Sequence, residues 1–114
     1  MLTMNINEED KAIYVNVSGY INKREVNNFL NTYKQRIKNK KTSLYRLIIN
    51  PENFQCEDDE DIKTVCMTFY KTGYKKIYIV DKDNYIVENL RLKPMEKKLF
   101  FKVVKIINSV ESAK

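Results

Sequence analysis

Two short apolar runs, residues 44–49 and 77–80, constrain the fold of this 114-residue chain more than any other feature. The first, Leu44-Tyr45-Arg46-Leu47-Ile48-Ile49, is broken only by Arg46, and the second reads Ile77-Tyr78-Ile79-Val80. A strand with one wet face alternates apolar and polar residues, whereas a near-continuous run marks an interior strand covered on both faces. Between the runs the period changes. Ile62, Val65, Cys66 and Phe69 fall on one face of a helix, and Gly73 stands where a left-handed residue would stop it. Strand, helix and strand in succession imply a right-handed crossover between parallel strands.

The same grammar extends in both directions. Leu2, Met4 and Ile6 alternate with polar residues, as do Ile13, Val15 and Val17, with a polar turn at residues 8–11 between them. That is a hairpin, and Gly19 ends its regular pattern. Val26, Phe29, Leu30, Tyr33 and Ile37 give the clearest helical stripe, with Asn22 as cap and Glu25 completing a capping-box-like pair. Asn50-Pro51 is expected to close the first buried strand. Tyr85, Ile86, Leu90, Leu92, Met95 and Leu99 suggest a third helix that Pro94 either breaks or restarts. Val103, Val104, Ile106 and Ile107 fit a helix or a last strand, and β-branching favours the strand. Ser109 begins a short tail turn. The expectation is one α/β domain over residues 1–114, with a mixed, mostly parallel sheet of about five strands and three to four helices.

Much chemistry is excluded. The chain has no histidine, which removes the commonest general base, the Ser-His and Cys-His pairs and most zinc sites. Two glycines cannot build a P-loop or a dinucleotide fingerprint, and Cys56 and Cys66 do not form a metal-like or redox-like pair. No catalytic residue, metal site or cofactor is expected. The first seven residues alternate rather than forming an apolar signal segment, and no run approaches the roughly 20 apolar residues that cross a bilayer. A cytoplasmic location with reduced thiols is the corresponding expectation.

Charge offers two candidate surfaces. The net charge is +6, and Lys34, Arg36, Lys38, Lys40 and Lys41 crowd the end of the first long helix, with Lys75 and Lys76 further on. Cations at a helix C-terminus complement its dipole without any ligand. Binding of a polyanion is the alternative reading. Lysine outweighs arginine here, and base and phosphate forks favour arginine, so nucleic acid is not the expected partner. The second surface is the run Glu57-Asp58-Asp59-Glu60-Asp61. Acids at a helix start serve as caps and dipole partners. Five exceed what capping requires, which adds a protein-contact surface to the readings; the spacing is not that of a calcium loop.

These features together resemble a STAS domain, the fold of anti-sigma-factor antagonists and of sulfate-transporter tails. The resemblance rests on the hairpin ending in Ser18-Gly19, the helix from Lys23, the strand Leu44–Asn50, the acidic turn with its helix, Gly73-Tyr74-Lys75-Lys76-Ile77-Tyr78-Ile79-Val80, and the ending Asn108–Ala113. It implies a non-enzymatic, regulatory interaction module. The family motif is a strand-end aspartate followed by Asp-Ser-Ser-Gly, whose first serine a partner kinase phosphorylates. Asn50 falls at the strand-end position, and Asp58, Asp59, Glu60 and Asp61 fall on the motif. Asp59 thus stands at the phosphoacceptor position, with no hydroxyl. On this reading Asp58, Asp59, Glu60 and Asp61 are the steering charges of a docking helix, and Lys63, Met67 and Tyr70 are expected on its outward face because Ile62, Val65, Cys66 and Phe69 take the core side. The expected partner is another protein with a basic groove, and a second copy of the chain is also a candidate. A small-molecule carrier using the aromatic elements is a third reading; Phe29 and Tyr33 are expected in the core instead.

Overall fold

In the computed structural model, which describes residues 1–113, the two apolar runs lie side by side, Arg46–Ile49 in parallel register with Lys76–Ile79. The elements are β1 (Leu2–Asn7), β2 (Ala12–Ile21), α1 (Lys23–Ile37), β3 (Arg46–Cys56), α2 (Glu60–Thr72), β4 (Lys76–Val80), α3 (Tyr85–Asn89), α4 (Pro94–Val103) and β5 (Val104–Ile107). Short 3-10 turns occupy Thr42–Leu44 and Val110–Ala113. One five-stranded sheet runs in the order β1-β2-β3-β4-β5. The β1–β2 pair is antiparallel and the other pairs are parallel. The helices all contribute to one core on the same face of the sheet, as right-handed crossovers between successive neighbours would place them.

The period-2 alternation of each strand now has two destinations. Ile13, Val15, Val17, Leu47, Ile49, Ile77, Ile79 and Val104 share one core with Val26, Phe29, Tyr33, Ile62, Phe69 and Phe100 of the helices. Ala12, Ile48, Val80 and Ile107 point the other way and pack with Ala113 of the tail turn. Arg46 fastens that turn by donating to the Ala113 carbonyl. Helices on one face and the tail turn on the other explain why both runs read as doubly covered strands.

α1 begins as its sequence predicts. Asn22 accepts the Glu25 amide at 2.8 Å, but the Glu25 carboxylate does not return to complete the box. It accepts the Leu2 amide and pairs with the chain's N-terminal ammonium, pinning β1 to α1. Asn22→Ala should therefore lower the stability of the domain by about 1 kcal/mol, measurable as a reduced midpoint in urea.

Several sequence expectations need correction. Leu44 is 52% exposed and lies in a 3-10 turn, so β3 starts at Arg46. Asn50-Pro51 does not close β3, which continues to Cys56. Beyond Ile49 the register with β4 ends and only β2 remains as neighbour, so proline sits on an open edge where its missing N–H is tolerated. Nor does Gly19 end β2. It lies at a bulge in mid-strand with φ 70, and pairing resumes beyond it. Gly73, at φ 85, does stop α2 in the left-handed conformation. Pro94 opens α4 rather than merely breaking a helix, and the Glu96 carboxylate accepts the Lys93 amide before it. The last apolar segment divides, with Val103 ending α4 and Val104 starting β5.

Candidate functional site

Each parallel strand runs from a common end of the sheet toward the opposite end, and α1 and α2 run back. The topology therefore sorts the two charged clusters. The acidic turn follows β3 and lies at the C-terminal ends of the strands. The end of α1 and the start of β4, which carry the basic cluster, lie at the N-terminal ends.

The acidic turn is bound into the fold by three of its five acids. The Glu57 amide donates to the Ile21 carbonyl at 2.8 Å, and the Glu57 carboxylate accepts the Lys23 amide at 3.3 Å. Asp58 accepts the Glu60 amide at 3.0 Å, so it caps α2 in the manner expected of a carboxylate there. Lys23 spans the turn, its Nζ donating at 3.1 Å both to Asp58 and to Asp61. The backbone amide of Glu60 and then the Lys23 ammonium hold the Asp58 carboxyl below its usual range. Asp58 and Asp61 in turn raise the pKa of Lys23. Asp61 is buried in the first turn of α2.

The remaining two acids are different. Asp59 and Glu60 have no side-chain hydrogen bond or ion pair among the described residues, and Glu60 is exposed. Beside them runs a cleft of about 460 Å3, lined by Glu52, Asp83, Glu88, Lys82, Phe54 and Tyr85 among others. Tyr85 stacks edge-on to Phe54 at 5.1 Å, and its hydroxyl is pushed up by burial and by the charge of Asp59. These further acids enlarge the negative end. Their separation in sequence hid them, and only the position of Asp83 and Glu88 just after a buried strand could have signalled it. The cleft's Asp81 is structural, because it accepts the Ile86 and Val87 amides at 3.2 and 3.0 Å and caps α3.

The outward face expected for α2 is not where Lys63, Met67 and Tyr70 lie. All three are half-buried. Tyr70 packs on Phe100 of α4 at 5.8 Å, Lys63 pairs with Glu96 at 3.6 Å, and Met67 joins the margin of the core. Restarting the chain at Pro94 lays α4 over this side of α2. The solvent edge is formed instead by Glu60, Thr64 and Lys71.

At the other end the basic residues are partly committed. Arg36 donates to the Met4 carbonyl at 2.9 Å, and Lys40 pairs with Glu8, which also accepts the Tyr45 hydroxyl. Lys34 lies in the last turn of α1, where its charge suits the dipole. Lys38, Lys41 and Lys75 are exposed, and Lys76 is half-buried in the first position of β4. Asn50 sits within β3 opposite Asn16, not at a strand end.

The arrangement of strands and crossovers matches solved structures over nearly the whole chain. The anti-sigma factor antagonist SpoIIAA in its unphosphorylated form superposes with a TM-score of 0.59 at 10% identity, over 99% of this chain and 93% of its own. The fold is STAS-like. An uncharacterised DUF3478-family protein with a SpoIIAA-like fold, from Shewanella loihica, gives a TM-score of 0.59 at 9% identity, over 99% of this chain and 89% of its own. No protein-family model and no curated protein sequence matches the chain. Among the described residues no helix is long and apolar enough to cross a membrane.

Proposed function

We propose that this domain is a non-enzymatic, regulatory protein-interaction module that uses the acidic end of its sheet to dock a basic groove on a partner protein. One observation carries the reading. Of five consecutive acids, three are tied into the fold, while the side chains of Asp59 and Glu60 have no hydrogen bond or ion pair among the described residues. Charges free of internal ties are available to steer an encounter and to form the polar rim of an interface. Glu52, Asp83 and Glu88 along the neighbouring cleft add to the same field. The likeness to SpoIIAA, described as an anti-sigma factor antagonist, supports a regulatory role of this kind. The module works in the cytoplasm and takes neither metal nor cofactor.

On this reading Asp59, at the motif position of the phosphoacceptor, supplies a permanent negative charge. A phosphorylated serine would carry about −1.5 to −2 there. The intact mass of protein purified from its own cells should accordingly show no phosphate on the turn or on Thr64 and Thr68 beside it.

The docking surface is tested by reversing charge where no side-chain hydrogen bond or ion pair among the described residues is broken. Asp59→Lys combined with Glu60→Lys should abolish retention of a specific partner from lysate and slow its association at least about tenfold. The melting temperature should fall by several degrees with the fold retained, since neither side chain has a hydrogen bond or ion pair among the described residues and reversal gives up only their favourable placement at the start of α2, about 0.3–1 kcal/mol each. Unaltered retention would remove the acidic turn from the interface. Nucleic acid retained equally by both forms, and only at low salt, would transfer the binding role to the exposed lysines at the opposite end.

A further inference from the structure

α4 presents a face that the fold does not use. Its inward side is anchored by Phe100, which is buried and packs on Tyr70 of α2 at 5.8 Å. On the outer side stand Met95 and Leu99, one turn apart, 76% and 47% exposed. Apolar side chains scattered over a surface are ordinary, and Met1, Tyr20 and Leu44 come from separate stretches of the chain. Met95 and Leu99 instead adjoin on one helix face.

Lysines border the pair. Lys98 and Lys102 follow Met95 by three and seven positions, so all four side chains share one side of α4, and both lysines are exposed. The stretch 93–102 holds four lysines against one acid, and so carries half of the chain's net +6. That acid is turned inward. The Glu96 carboxylate accepts the Lys93 amide at 3.0 Å and pairs with Lys63 of α2 at 3.6 Å. Lys97, Lys98 and Lys102 have no ion pair among the described residues. Lys102 suits the dipole at the end of the helix, but Lys97 and Lys98 stand in mid-helix, where no such role exists.

The occupant of this face must be anionic and must accept two apolar side chains. A protein partner fits poorly, because interfaces favour aromatic and arginine anchors and are depleted of lysine. Single-stranded nucleic acid needs exposed rings on which to stack its bases. The rings of α4 are occupied elsewhere, since Phe100 is buried and Phe101 meets it edge-on at 5.2 Å. A bilayer requires neither anchor. It takes apolar side chains into the acyl boundary and flexible cations at the level of its headgroups.

We propose that the outer face of α4 binds the surface of an anionic lipid bilayer. Met95 and Leu99 enter the acyl boundary, while Lys98 and Lys102 lie among the headgroups. Two apolar side chains and a few lysines make a peripheral, reversible attachment. Asp59 and Glu60 have no part in it, so it can fail without the docking role.

The test is co-sedimentation of the whole chain with vesicles of phosphatidylglycerol and phosphatidylcholine in equal parts, set against vesicles of phosphatidylcholine alone. Binding to the first and not to the second is expected, weakening steeply with added salt. Lys98→Glu with Lys102→Glu should lower the affinity at least about tenfold. Lys34→Glu with Lys38→Glu makes the same change of net charge at the end of α1 and should lower it less than about threefold. Met95→Gln with Leu99→Gln leaves the charge untouched and should lower it at least about threefold. In the unsubstituted chain, spin-labelled lipid in the same vesicles should broaden the NMR methyl signal of Met95 but not that of Met1, which is similarly exposed. Absence of binding to the anionic vesicles would overturn the proposal. An equal loss from either lysine pair, undiminished binding by the glutamine variant, or equal broadening of Met1 would do so as well. Capture of polyuridylate through Lys98 and Lys102, with no binding of vesicles, would overturn it in favour of nucleic acid.

Discussion

Raising the pH above 9.0, the ordinary cysteine value, is expected to destabilise the domain steeply while its secondary structure is still intact at neutral pH. Cys66 is buried in α2, and its thiol is pushed up to about 12, chiefly by burial and further by the charge of Asp81. Tyr33 and Tyr74 share a 2.7 Å hydrogen bond in the core, and burial raises both phenols above 10.0. The unfolded chain releases these protons at their ordinary values, whereas the fold retains them. Above 9.0 the unfolded state therefore binds fewer protons than the folded one, and stability falls as pH rises. It is fully present below that point. Cys66 alone withdraws about 4 kcal/mol by the time its own folded value is reached, and the tyrosines add to the slope. Urea midpoints measured at neutral pH and at pH ~11 would reveal the loss. Cys66→Ala should flatten the dependence from 9.0 upward, and Tyr74→Phe from 10.0 upward. A midpoint insensitive to alkali would mean that these groups ionise within the fold.

Phe69→Ala should remove about 3–5 kcal/mol of stability. Phe69 is 1% exposed and meets Tyr33 at 5.0 Å and Phe29 at 6.3 Å, both edge-on. These three rings join α1 to α2 over the sheet. Truncation would leave a void lined by rigid aromatic faces and β-branched strand residues, which collapse poorly into vacated space. Domains of this size have about 5–15 kcal/mol in total, so the variant should give up a large share of its stability. Phe69→Leu, which refills much of the volume, should lose distinctly less. Chemical denaturation of both variants provides the measurement. A loss below about 1 kcal/mol for Phe69→Ala would mean that the helices close over the gap.

The elements whose period came from burial were legible in the sequence. The stripe of Val26, Phe29 and Tyr33 became α1, and residues 77–80 became β4, because one face or both faces of those segments had to leave water. Boundaries set by pairing were less legible. Whether Pro51 ends a strand depends on how many neighbours that strand has at that point, and β4 has already stopped pairing there. Gly19 was misread for a related reason, since a bulge and a strand end present the same residue. In the candidate site, the acidic run stood out by composition. The internal commitment of Glu57, Asp58 and Asp61 did not, because it depends on Lys23 from another element. The outward face of α2 was misjudged because helical spacing specifies opposite sides without saying that α4 would cover one of them.

The order β1-β2-β3-β4-β5 also bears on how the chain can be made. No strand is inserted between two earlier ones, so every strand that leaves a ribosome meets an edge already completed by its predecessor. Growth of the sheet then never requires an established ladder to open. Each intermediate length carries one open edge that the next segment will cover. The final strand, β5, and the turn that shields the far face arrive last. Until they do, Ile48 and Val80 lack their cover, so docking of β5 and the turn after it is the step that removes this sticky surface.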